Sequence, residues 1–281
     1  MKIGIVGQGF VGNAVRIGFE SHFDVLTYDK YQETKTNSTL EEIVLNCKVI
    51  FSCLPTPMTR ETGAAHLGIV ESVLAELNYI AQVNDRKPIV VVKSTVPPGS
   101  CQHWHDRFKN IIISFNPEFL TEANAIKDFL TQDRVVLGRD EKDDISDLEH
   151  IFILAFPGAQ QRILSLTDAE MVKYVANCLL TVKVSFANEI YDICEKTGAD
   201  YNAVIDVATM DKRLGNSHWM VPGPDGHRGF SGSCFPKDIN ALRAFAKSVN
   251  VSTPTMDGAW EKNLEVRPER DWEQLKGRAI L

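Results

Sequence analysis

One stretch near the amino terminus decides the fold: Lys2-Ile3-Gly4-Ile5-Val6-Gly7-Gln8-Gly9-Phe10-Val11-Gly12. A short apolar run leads into three glycines with GxGxxG spacing, and helix-compatible residues follow. The first glycine permits a tight turn, the second lets a phosphate approach the backbone, and the third lets the helix pack on the strand. The helix N-terminus then offers unpaired N–H groups to phosphates. The stretch therefore predicts a dinucleotide site that uses Gly7, Gly9, Phe10, Val11 and Gly12.

An acidic residue closes the second predicted strand. Residues 23–28 are followed by Asp29, which lies near the spacing of about 20 residues that dinucleotide sites use for an acid on the ribose. A carboxylate there accepts hydrogen bonds from the ribose hydroxyls and repels a 2′-phosphate, which favours NAD over NADP. The neighbouring Lys30 is a cation that would tolerate NADP, so both residues belong to the predicted cofactor site.

Strand and helix patterns alternate as far as residue 156. Predicted strands cover 49–53, 89–92, 111–114 and 135–137, and predicted helices cover 40–45, 69–81, 102–108 and the residues before 156. Repeated βα units indicate a parallel sheet with helices on both faces. We therefore predict an α/β chain in which an N-terminal Rossmann doubly wound parallel sheet is followed by an all-α central domain.

Three polar or proline-containing loops follow predicted strands directly: 54–57, 94–99 and 116–122. Because ligands bind at the carboxyl ends of parallel strands, the three loops indicate one ligand site. Proline, serine and asparagine are also ordinary turn residues, so each loop alone is ambiguous.

A long predicted helix begins at Thr167 and runs towards Lys196. Thr167 and Glu170 have the spacing of a capping box. Lys173 and Asn177 are one turn apart and share a helix face. They are either two groups that reach one substrate oxygen or the solvated side of the helix.

The stretch Gly232-Ser233-Cys234-Phe235-Pro236-Lys237-Asp238 combines a nucleophile, a cation and an acid. A following helix N-terminus and Lys237 would favour the thiolate form of Cys234. The alternative interpretation is a buried apolar cysteine that precedes a helix with Pro236 in its first turn.

Composition, net charge and cysteine spacing argue against several kinds of partner. The 281 residues are 44% hydrophobic and 24% charged, as in ordinary globular proteins, and a net charge of −7 argues against a nucleic-acid partner. No apolar run is long enough for a bilayer and no signal peptide is evident, so we expect no membrane partner and a cytoplasmic protein. The six cysteines lack paired CxxC spacing and fit free thiols, and the Cys101 to His105 segment lacks the second ligand cluster that a metal site needs, so we expect no metal.

Five motifs resemble the UDP-glucose/GDP-mannose dehydrogenase family over nearly the whole chain. They are Gly7-x-Gly9-x-x-Gly12, Ser94-Thr95-Val96-Pro97, Asn116-Pro117-Glu118-Phe119-Leu120-x-Glu122, Lys173-Tyr174-x-x-Asn177 with Phe186-Ala187-Asn188-Glu189, and the stretch 232–238. The Pro-Lys-Asp ending resembles the UDP-glucose and GDP-mannose branches more than the N-acetylmannosamine branch. UDP-glucose is therefore the first expected substrate.

The resemblance implies that a nucleotide sugar's C6 alcohol is oxidised to a carboxylate by two NAD in turn. Cys234 would add to the aldehyde and form a thiohemiacetal, then a thioester. Lys173, Asn177 and Asp238 match the family positions for proton transfer and oxygen stabilisation. The positions for thioester hydrolysis are matched by Glu118, Glu122, Thr95 and Asp238.

The resemblance also implies the binding residues. Further cofactor contacts would come from Pro55, Thr56, Ser94, Thr95 and Lys237. The expected substrate contacts are Phe119, Leu120, Thr121, Glu122, Lys173, Asn177, Arg213 and Gly232. Arg213 matches an arginine supplied across a dimer interface, which implies a homodimer through the central helical domain.

These patterns predict an NAD-binding domain at 1–166, a helical central domain with the cysteine loop at 167–265, and a tail at 266–281. The tail resembles the first strand of a further domain that family members usually carry, so the chain is either cut or naturally short. Two departures from the family pattern stand before the cysteine: Asp225-Gly226-His227-Arg228 resembles an insertion, and Ser231 replaces a usual glycine.

Two other functions fit part of the pattern. A β-hydroxyacid dehydrogenase also has Lys-x-x-x-Asn on a long helix after a Rossmann domain, but it leaves Cys234 unused and makes one NADH per substrate. The other is a non-catalytic NAD-binding protein.

Overall fold

The computed structural model describes residues 1–281 and divides into two compact units. The first unit contains Met1–Thr56 and Leu67–Lys173, and the second contains Pro57–His66 and Tyr174–Leu281. Helix α7 (Leu166–Thr197) begins in the first unit and continues into the second. The functional domain boundaries expected from the sequence stay a prediction. No helix has both the length and the apolar character needed to cross a bilayer.

The first unit is built on seven strands: β1 (Lys2–Val6), β2 (Asp24–Tyr28), β3 (Val49–Ser52), β4 (Ile89–Val92), β5 (Ile112–Phe115), β6 (Arg134–Arg139) and β7 (Gln160–Ser165). They form one sheet in the order β2-β1-β3-β4-β5-β6-β7. Strands β3 and β4 are buried along their whole length, as expected for parallel strands that are covered on both faces. The predicted Rossmann α/β class is confirmed.

The sheet is not parallel throughout. Strand β6 pairs antiparallel with β5, and β7 pairs parallel with β6. Only Phe115 and Gly138 are paired in register at the junction, and two side chains extend it. The Ser114 hydroxyl donates to the Gly138 carbonyl at 2.7 Å, and the Asn116 amide donates to the Val136 carbonyl at 2.7 Å. Side-chain bonds therefore supplement the backbone ladder where the strand direction reverses.

Helices cover both faces of this sheet: α1 (Phe10–Phe19), α2 (Leu40–Asn46), α3 (Gly68–Val83), α4 (Ser100–Arg107), α5 (Ala125–Leu130) and α6 (Ser146–Ala155). One apolar cluster lies under α2, α3 and α4, and the other under α1, α5 and α6. In the second cluster Phe19 contacts five other rings edge-on or tilted, those of Phe23, Phe51, Phe129, Phe152 and Phe156. Two separate cores of this kind hold the sheet rigid, so the loops at its carboxyl edge have a fixed base.

The start of α7 differs from the prediction. The helix begins at Leu166, and Ser165 is the capping residue, because the Asp168 N–H donates to its hydroxyl at 3.1 Å. Thr167 lies inside the helix. Glu170 is fully buried and accepts hydrogen bonds from the N–H groups of Gly99 and Cys101 at 2.6 and 2.7 Å. Glu170 therefore holds the start of α4 and is no capping-box partner.

The second unit is helical. It contains most of α7 together with α8 (Tyr201–Ala208), α9 (Phe235–Ser248) and α10 (Pro254–Val266). Apolar side chains of α7, α9 and α10 form its main core around Tyr174 and Ile239. The tail does not open a strand: the Met58 N–H donates to the Ala279 carbonyl at 2.9 Å, and the residues after Gln274 form only isolated bridges.

Candidate functional site

The glycine turn has the geometry that its sequence predicts. Gly7 adopts φ +92°, and a Cβ there would lie 2.4 Å from the Cys53 carbonyl oxygen. A Cβ at Gly12 would lie 1.8 Å from the Gly7 carbonyl oxygen. The first turn of α1 can therefore pack against the Gly7 carbonyl only because residue 12 has no side chain. A Cβ at Gly9 would meet nothing within 4 Å. The middle position is therefore open to an incoming group, and the outer two are closed by the protein's own backbone.

Asp29 lies at the end of β2, beside this turn. Its Oδ2 accepts the Gln8 N–H at 2.6 Å, and its Oδ1 accepts the Tyr31 N–H at 2.8 Å. Lys30 is exposed, and its ammonium lies 5.6 Å from the centre of the Tyr31 ring. The open position at Gly9, the α1 N-terminus and the oriented acid fit a dinucleotide, and of these only Asp29 discriminates at the ribose.

The loops after β3 and β4 are joined by side-chain hydrogen bonds. The Thr56 hydroxyl donates to the Thr95 carbonyl at 2.9 Å, and the Ser94 hydroxyl donates to the Leu54 carbonyl at 2.6 Å. Pro55 is exposed on the same loop as Thr56. The structure thus brings together four residues of the predicted cofactor site.

A buried ion pair lies at the end of the first unit. The Lys173 ammonium donates to the Glu118 carbonyl and lies 3.2 Å from its Oε2. Lys173 is 2% exposed and Glu118 is 7% exposed, so neither belongs to a solvated face. The Phe119 ring centre is 5.8 Å from the same ammonium. A desolvated cation held by a carboxylate is suited to stabilising negative charge on a substrate oxygen.

Sequence reasoning did not single out Lys93. Its ammonium donates to the Asn116 Oδ1, and burial lowers the pKa of Lys93 to about 8. It also interacts electrostatically with Glu118, so a second cation accompanies Lys173 there. The sequence signal is a lysine placed directly after four apolar residues, 89–92, where a strand is expected to be buried.

Three further predicted substrate or catalytic residues follow Phe119 in the loop after β5. Thr121 is exposed, and its N–H and hydroxyl donate to Asp128 at 2.8 and 2.6 Å. Glu122 is exposed and begins a 3-10 turn, Glu122–Asn124. Leu120 is half-buried and donates its N–H to the Glu118 carboxylate. The roles of these residues stay predictions.

In the second unit the start of α9 gathers four predicted residues. The Asp238 N–H donates to the Cys234 carbonyl at 2.9 Å, which places the two one helical turn apart. Asp238 is 1% exposed and accepts hydrogen bonds from the Asn177 amide at 2.6 Å and from the Lys237 ammonium. Cys234 is half-buried, and its sulfur lies 3.8 Å from the Ser233 hydroxyl. The alternative interpretation is right that Cys234 precedes a helix with Pro236 in its first turn, but the thiol is not fully buried.

Most other cysteines are poorly suited to nucleophilic chemistry. Burial raises the pKa of Cys47 to about 11 and that of Cys53 to about 12, and it raises the pKa values of Cys101 and Cys178 well above their usual range. A thiol reacts as thiolate, so these four are effectively inert near neutral pH.

The remaining predicted substrate residues are exposed. The Arg213 side chain is 88% exposed, and its guanidinium binds the Asp211 carboxylate with Nε 2.9 Å from Oδ1. Gly232 is exposed, adopts φ +79°, and has space for a Cβ on every side. An exposed arginine is free to reach a neighbouring molecule, so its predicted role across a dimer interface stays open to test.

Each unit holds a cluster of polar groups that could take part in chemistry. The first has a buried Lys–Glu pair, and the second has a thiol one turn from a buried Asp that accepts hydrogen bonds from an amide and an ammonium. Such groups can move a proton, stabilise an oxyanion and add sulfur to a carbonyl.

Comparison with known protein families supports this description. Residues 30–154 match the UDP-glucose/GDP-mannose dehydrogenase family, NAD binding domain, and residues 167–265 match the central domain of the same family. The first match confirms NAD as the predicted cofactor.

Individual relatives agree with the family matches. The chain is 35% identical over 241 residues to a UDP-glucose 6-dehydrogenase of Rickettsia bellii, which covers 84% of this chain and 54% of that protein. It is 33% identical over 300 residues to the Rickettsia typhi UDP-glucose 6-dehydrogenase, covering 95% of this chain and 68% of the relative. The structure of a UDP-glucose dehydrogenase from Pyrobaculum islandicum superposes with a TM-score of 0.84 at 26% identity, covering 94% of this chain and 68% of that one.

The chain spans 54% of the length of the Rickettsia bellii relative and 50% of that of a Rickettsia prowazekii UDP-glucose 6-dehydrogenase. Both family models, the relatives and the structural superposition nevertheless agree on one family. This chain therefore belongs to the UDP-glucose/GDP-mannose dehydrogenase family.

Proposed function

We propose that this chain oxidises the C6 alcohol of a nucleotide sugar to a carboxylate, with UDP-glucose as the first candidate and Cys234 as the covalent nucleophile. The observation that carries the proposal is the arrangement at the start of α9, where a half-buried thiol lies one turn from Asp238, itself bonded to Asn177 and Lys237. A single alcohol oxidation needs no thiol. A second oxidation at the same carbon needs a nucleophile, because an aldehyde must first gain a substituent before it can lose another hydride, and a thiol is well suited to that addition.

The cofactor would be held by the glycine turn, the α1 N-terminus and Asp29, with Thr56, Ser94 and Thr95 as further contacts. NAD, when bound, accepts the hydride that leaves C6 in each of the two oxidations. The chain's own residues supply everything else: they orient the alcohol, receive its proton and hold the charge that develops on its oxygen.

In the first step we assign the substrate oxygen to Lys173 and Asn177. The Lys173 cation and the Asn177 amide would stabilise the developing alkoxide, and Asp238 would receive the hydroxyl proton through a water. The proton leaves as the hydride leaves, and the product is an aldehyde. Glu118 keeps Lys173 in place, since it binds that ammonium through both its carbonyl and its carboxylate.

In the second step the Cys234 thiolate adds to the aldehyde carbon. A C–S bond forms, the carbonyl π electrons move to oxygen, and that oxygen takes a proton to give a thiohemiacetal. Loss of a second hydride and of that proton gives a thioester. Water then adds to the thioester carbon, the C–S bond breaks, and the thiolate and a carboxylate remain. Glu118, Glu122, Thr95 and Asp238 are our candidates for holding or deprotonating that water.

The partner proposal is a homodimer that places Arg213 on the neighbour's substrate. Exposed apolar side chains along α7, α8 and the residues that follow support a protein partner on this face; they include Val175, Leu179, Phe186, Ile193, Val207 and Met210. Val175, Leu179, Phe186 and Ile193 recur at helical spacing along α7, and an apolar helix face that is exposed in this way is typical of an interface.

The test is to supply UDP-glucose, GDP-mannose and UDP-N-acetylmannosamine separately with NAD and to count NADH formed per sugar consumed. Two NADH and a uronate from one of the sugars support the proposal. One NADH with an accumulating aldehyde or ketone indicates a single oxidation, as in β-hydroxyacid dehydrogenases. Absence of NADH from a protein that still binds NAD indicates a non-catalytic role.

The matched variants are Cys234→Ala and Cys178→Ala. We expect Cys234→Ala to abolish uronate formation while NAD binding, measured by calorimetry, stays unchanged. Cys178→Ala removes a buried thiol whose pKa is raised by burial, and it should retain acid production if the variant folds. Undiminished uronate formation by Cys234→Ala would rule out covalent catalysis at that residue.

A further inference from the structure

Two residues before Cys234 the chain passes through a glycine that is not packed against other atoms. Gly232 adopts φ +79°, and no atom would oppose a side chain there within 4 Å. A glycine in this conformation gives the chain flexibility on the amino-terminal side of the thiol. The direction of the Cys234 sulfur therefore depends on how firmly residues 225–231 are held.

A fully buried asparagine holds the backbone at Phe230. The Phe230 N–H donates to the Asn263 Oδ1 at 2.6 Å, and the Asn263 amide donates to the Phe230 carbonyl at 3.1 Å. Asn263 has no exposed surface, and a Cβ at Gly229 would lie 2.4 Å from its Oδ1. One side chain thus satisfies both backbone groups of a loop residue that no strand or helix would pair.

One turn further along, a buried arginine holds the preceding part of the loop. Arg267 is 2% exposed; its Nη2 lies 2.7 Å from carboxylate oxygens of both Asp225 and Asp271, and its Nη1 donates to the Arg228 carbonyl at 3.3 Å. The Ser231 hydroxyl donates to the Asp271 Oδ1 at 2.6 Å. Asp271 therefore joins the arginine directly to the residue that precedes Gly232.

One short stretch of chain supplies all three side chains. Asn263 lies in the last turn of α10, Arg267 directly follows that helix, and Asp271 begins the 3-10 turn Asp271–Gln274. The opposite side of the loop is also tied, because Arg228 donates to the Asn188 Oδ1 at 3.0 Å and pairs with Asp192 at 2.8 Å. Desolvation opposes the charge on Arg267, but its bonds to Asp271 and Asp225 prevail and raise its pKa. The guanidinium is thus a permanent cation of the loop.

We propose that Asn263, Arg267 and Asp271 form a clamp that positions the Cys234 thiol by fixing residues 225–231 on the far side of the flexible Gly232. They are positioning residues, since they act on the thiol through the backbone. Ser231 completes the clamp through its hydrogen bond to Asp271. The catalytic consequence rests on the proposed function, whereas the effect on the thiol itself does not.

The test compares Arg267→Met, Arg267→Lys and Ser231→Ala with the parent, and Arg270→Met is the matched control. Arg270 is 52% exposed in its side chain and lies 3.8 Å from Glu273, outside the clamp. The first measurement is the rate constant for alkylation of Cys234 by iodoacetamide in the NAD-free protein, read at the peptide by mass spectrometry. Melting temperature, Kd for NAD and kcat for uronate formation are measured on the same samples.

We expect alkylation of Cys234 to accelerate by about tenfold in Arg267→Met, because a loosened loop exposes the half-buried thiol. Uronate kcat should fall by about 100-fold, the cost of a misplaced reacting group, while Kd for NAD is unchanged. Arg267→Lys should recover part of both effects. Ser231→Ala removes one hydrogen bond, so we expect about a two- to threefold change in alkylation with an unchanged melting temperature. Arg270→Met should match the parent.

The proposal fails if Ser231→Ala and folded Arg267→Met both alkylate at the parental rate, or if Arg270→Met changes the rate as much as Arg267→Met does. Should Arg267→Met not fold, Ser231→Ala and Arg267→Lys decide the outcome. A parent protein that makes no uronate, combined with accelerated alkylation in the clamp variants, would refute the proposed function and leave the positioning role in place.

Discussion

The glycine turn of the first unit and the cysteine loop of the second, residues 222–234, are both irregular segments. They differ in how far apart in the sequence the residues are that stabilise them. In the turn, the tightest approach is between near neighbours, since a Cβ at Gly12 would lie 1.8 Å from the Gly7 carbonyl oxygen, and the more distant Cys53 carbonyl closes only the Gly7 side. In the loop, the hydrogen bonds of Phe230, Ser231 and Asp225 reach residues 33, 40 and 42 positions away. A local steric constraint is visible in a motif, whereas long-range side-chain contacts are not.

The difference also predicts how each segment fails. The turn depends on the absence of side chains at Gly7 and Gly12, so adding a methyl group at either position should break it. The loop depends on the presence of polar side chains, so deleting one should loosen it. Four substitutions test this contrast.

The largest effect is expected for Gly12→Ala. Its Cβ would lie 1.8 Å from the Gly7 carbonyl oxygen, which only a shift of the backbone can relieve. We expect a loss of more than about 4 kcal/mol of unfolding free energy, in the range of severe core disruptions, or no folded protein. Urea denaturation followed by circular dichroism measures this. A stable variant with parental NAD affinity would contradict the view that the turn is fixed by local sterics.

The corresponding break in the cysteine loop is Asn263→Ala. It leaves the N–H and the carbonyl of Phe230 without their buried partner, and we expect about 3 kcal/mol of destabilisation. The control, Asn202→Ala, changes an exposed asparagine on α8 and should cost less than about 0.5 kcal/mol. Equal denaturation midpoints for the two variants would show that the long-range bonds contribute nothing to the loop.

A pH experiment sharpens the comparison inside the first unit, where Glu170 provides a long-range contact to the start of α4. Burial raises the pKa of the Glu170 carboxyl to about 7, even though the N–H groups of Cys101 and Gly99 favour its charged form. At a pH between the unfolded-state pKa and about 7, the Glu170 carboxyl is therefore protonated in the folded state and ionised in the unfolded state. Stability from this group is complete at low pH and is lost as pH rises through that interval.

Glu170→Gln removes this titration. We expect the free energy of unfolding of the parent to fall by about 3 kcal/mol more than that of the variant between about pH 4 and pH 8. Denaturation curves at intervals of pH measure both slopes. Parallel curves for the two proteins would show that Glu170 is not titrating in the fold.

The smallest effect on stability is expected for Gly9→Ala. Gly9 has φ −65° and ψ −166°, which alanine adopts without strain, and its Cβ would meet nothing within 4 Å. Stability should therefore change by less than about 1 kcal/mol. NAD affinity, measured by calorimetry, should nevertheless fall steeply, because the added methyl group fills the space that the dinucleotide phosphates would occupy. Undiminished affinity would show that the phosphates lie elsewhere.

Much of the fold could be predicted because its signals are local. The apolar strands, the glycine turn, Asp29 and the long α7 all follow from patterns within a few residues, and the structure has them near their predicted bounds. The errors occurred where an alternative depends on distant residues. Thr167 and Glu170 match a capping box in sequence, but Glu170 is drawn away by the N–H groups of Gly99 and Cys101, and Ser165 caps the helix instead.

The same division holds in the candidate site. The motifs named Lys173, Asn177, Glu118, Cys234 and Asp238, and the structure pairs Lys173 with Glu118 and Asn177 with Asp238. Lys93, Asn263 and Arg267 escaped notice because no motif marks them. Each is important only through the buried partner that folding gives it.

By itself the sequence determined the architecture of the first unit, its dinucleotide turn and the residue types available for chemistry, because periodicity and glycine sterics act between near neighbours. The tertiary structure alone decided that β6 and β7 reverse direction, that Lys93 is buried and interacts with Glu118, and that the loop before Cys234 is hydrogen-bonded to Asn263, Arg267 and Asp271. Those features depend on hydrogen bonds and desolvation between residues far apart in the chain, and such contacts exist only once the chain is packed.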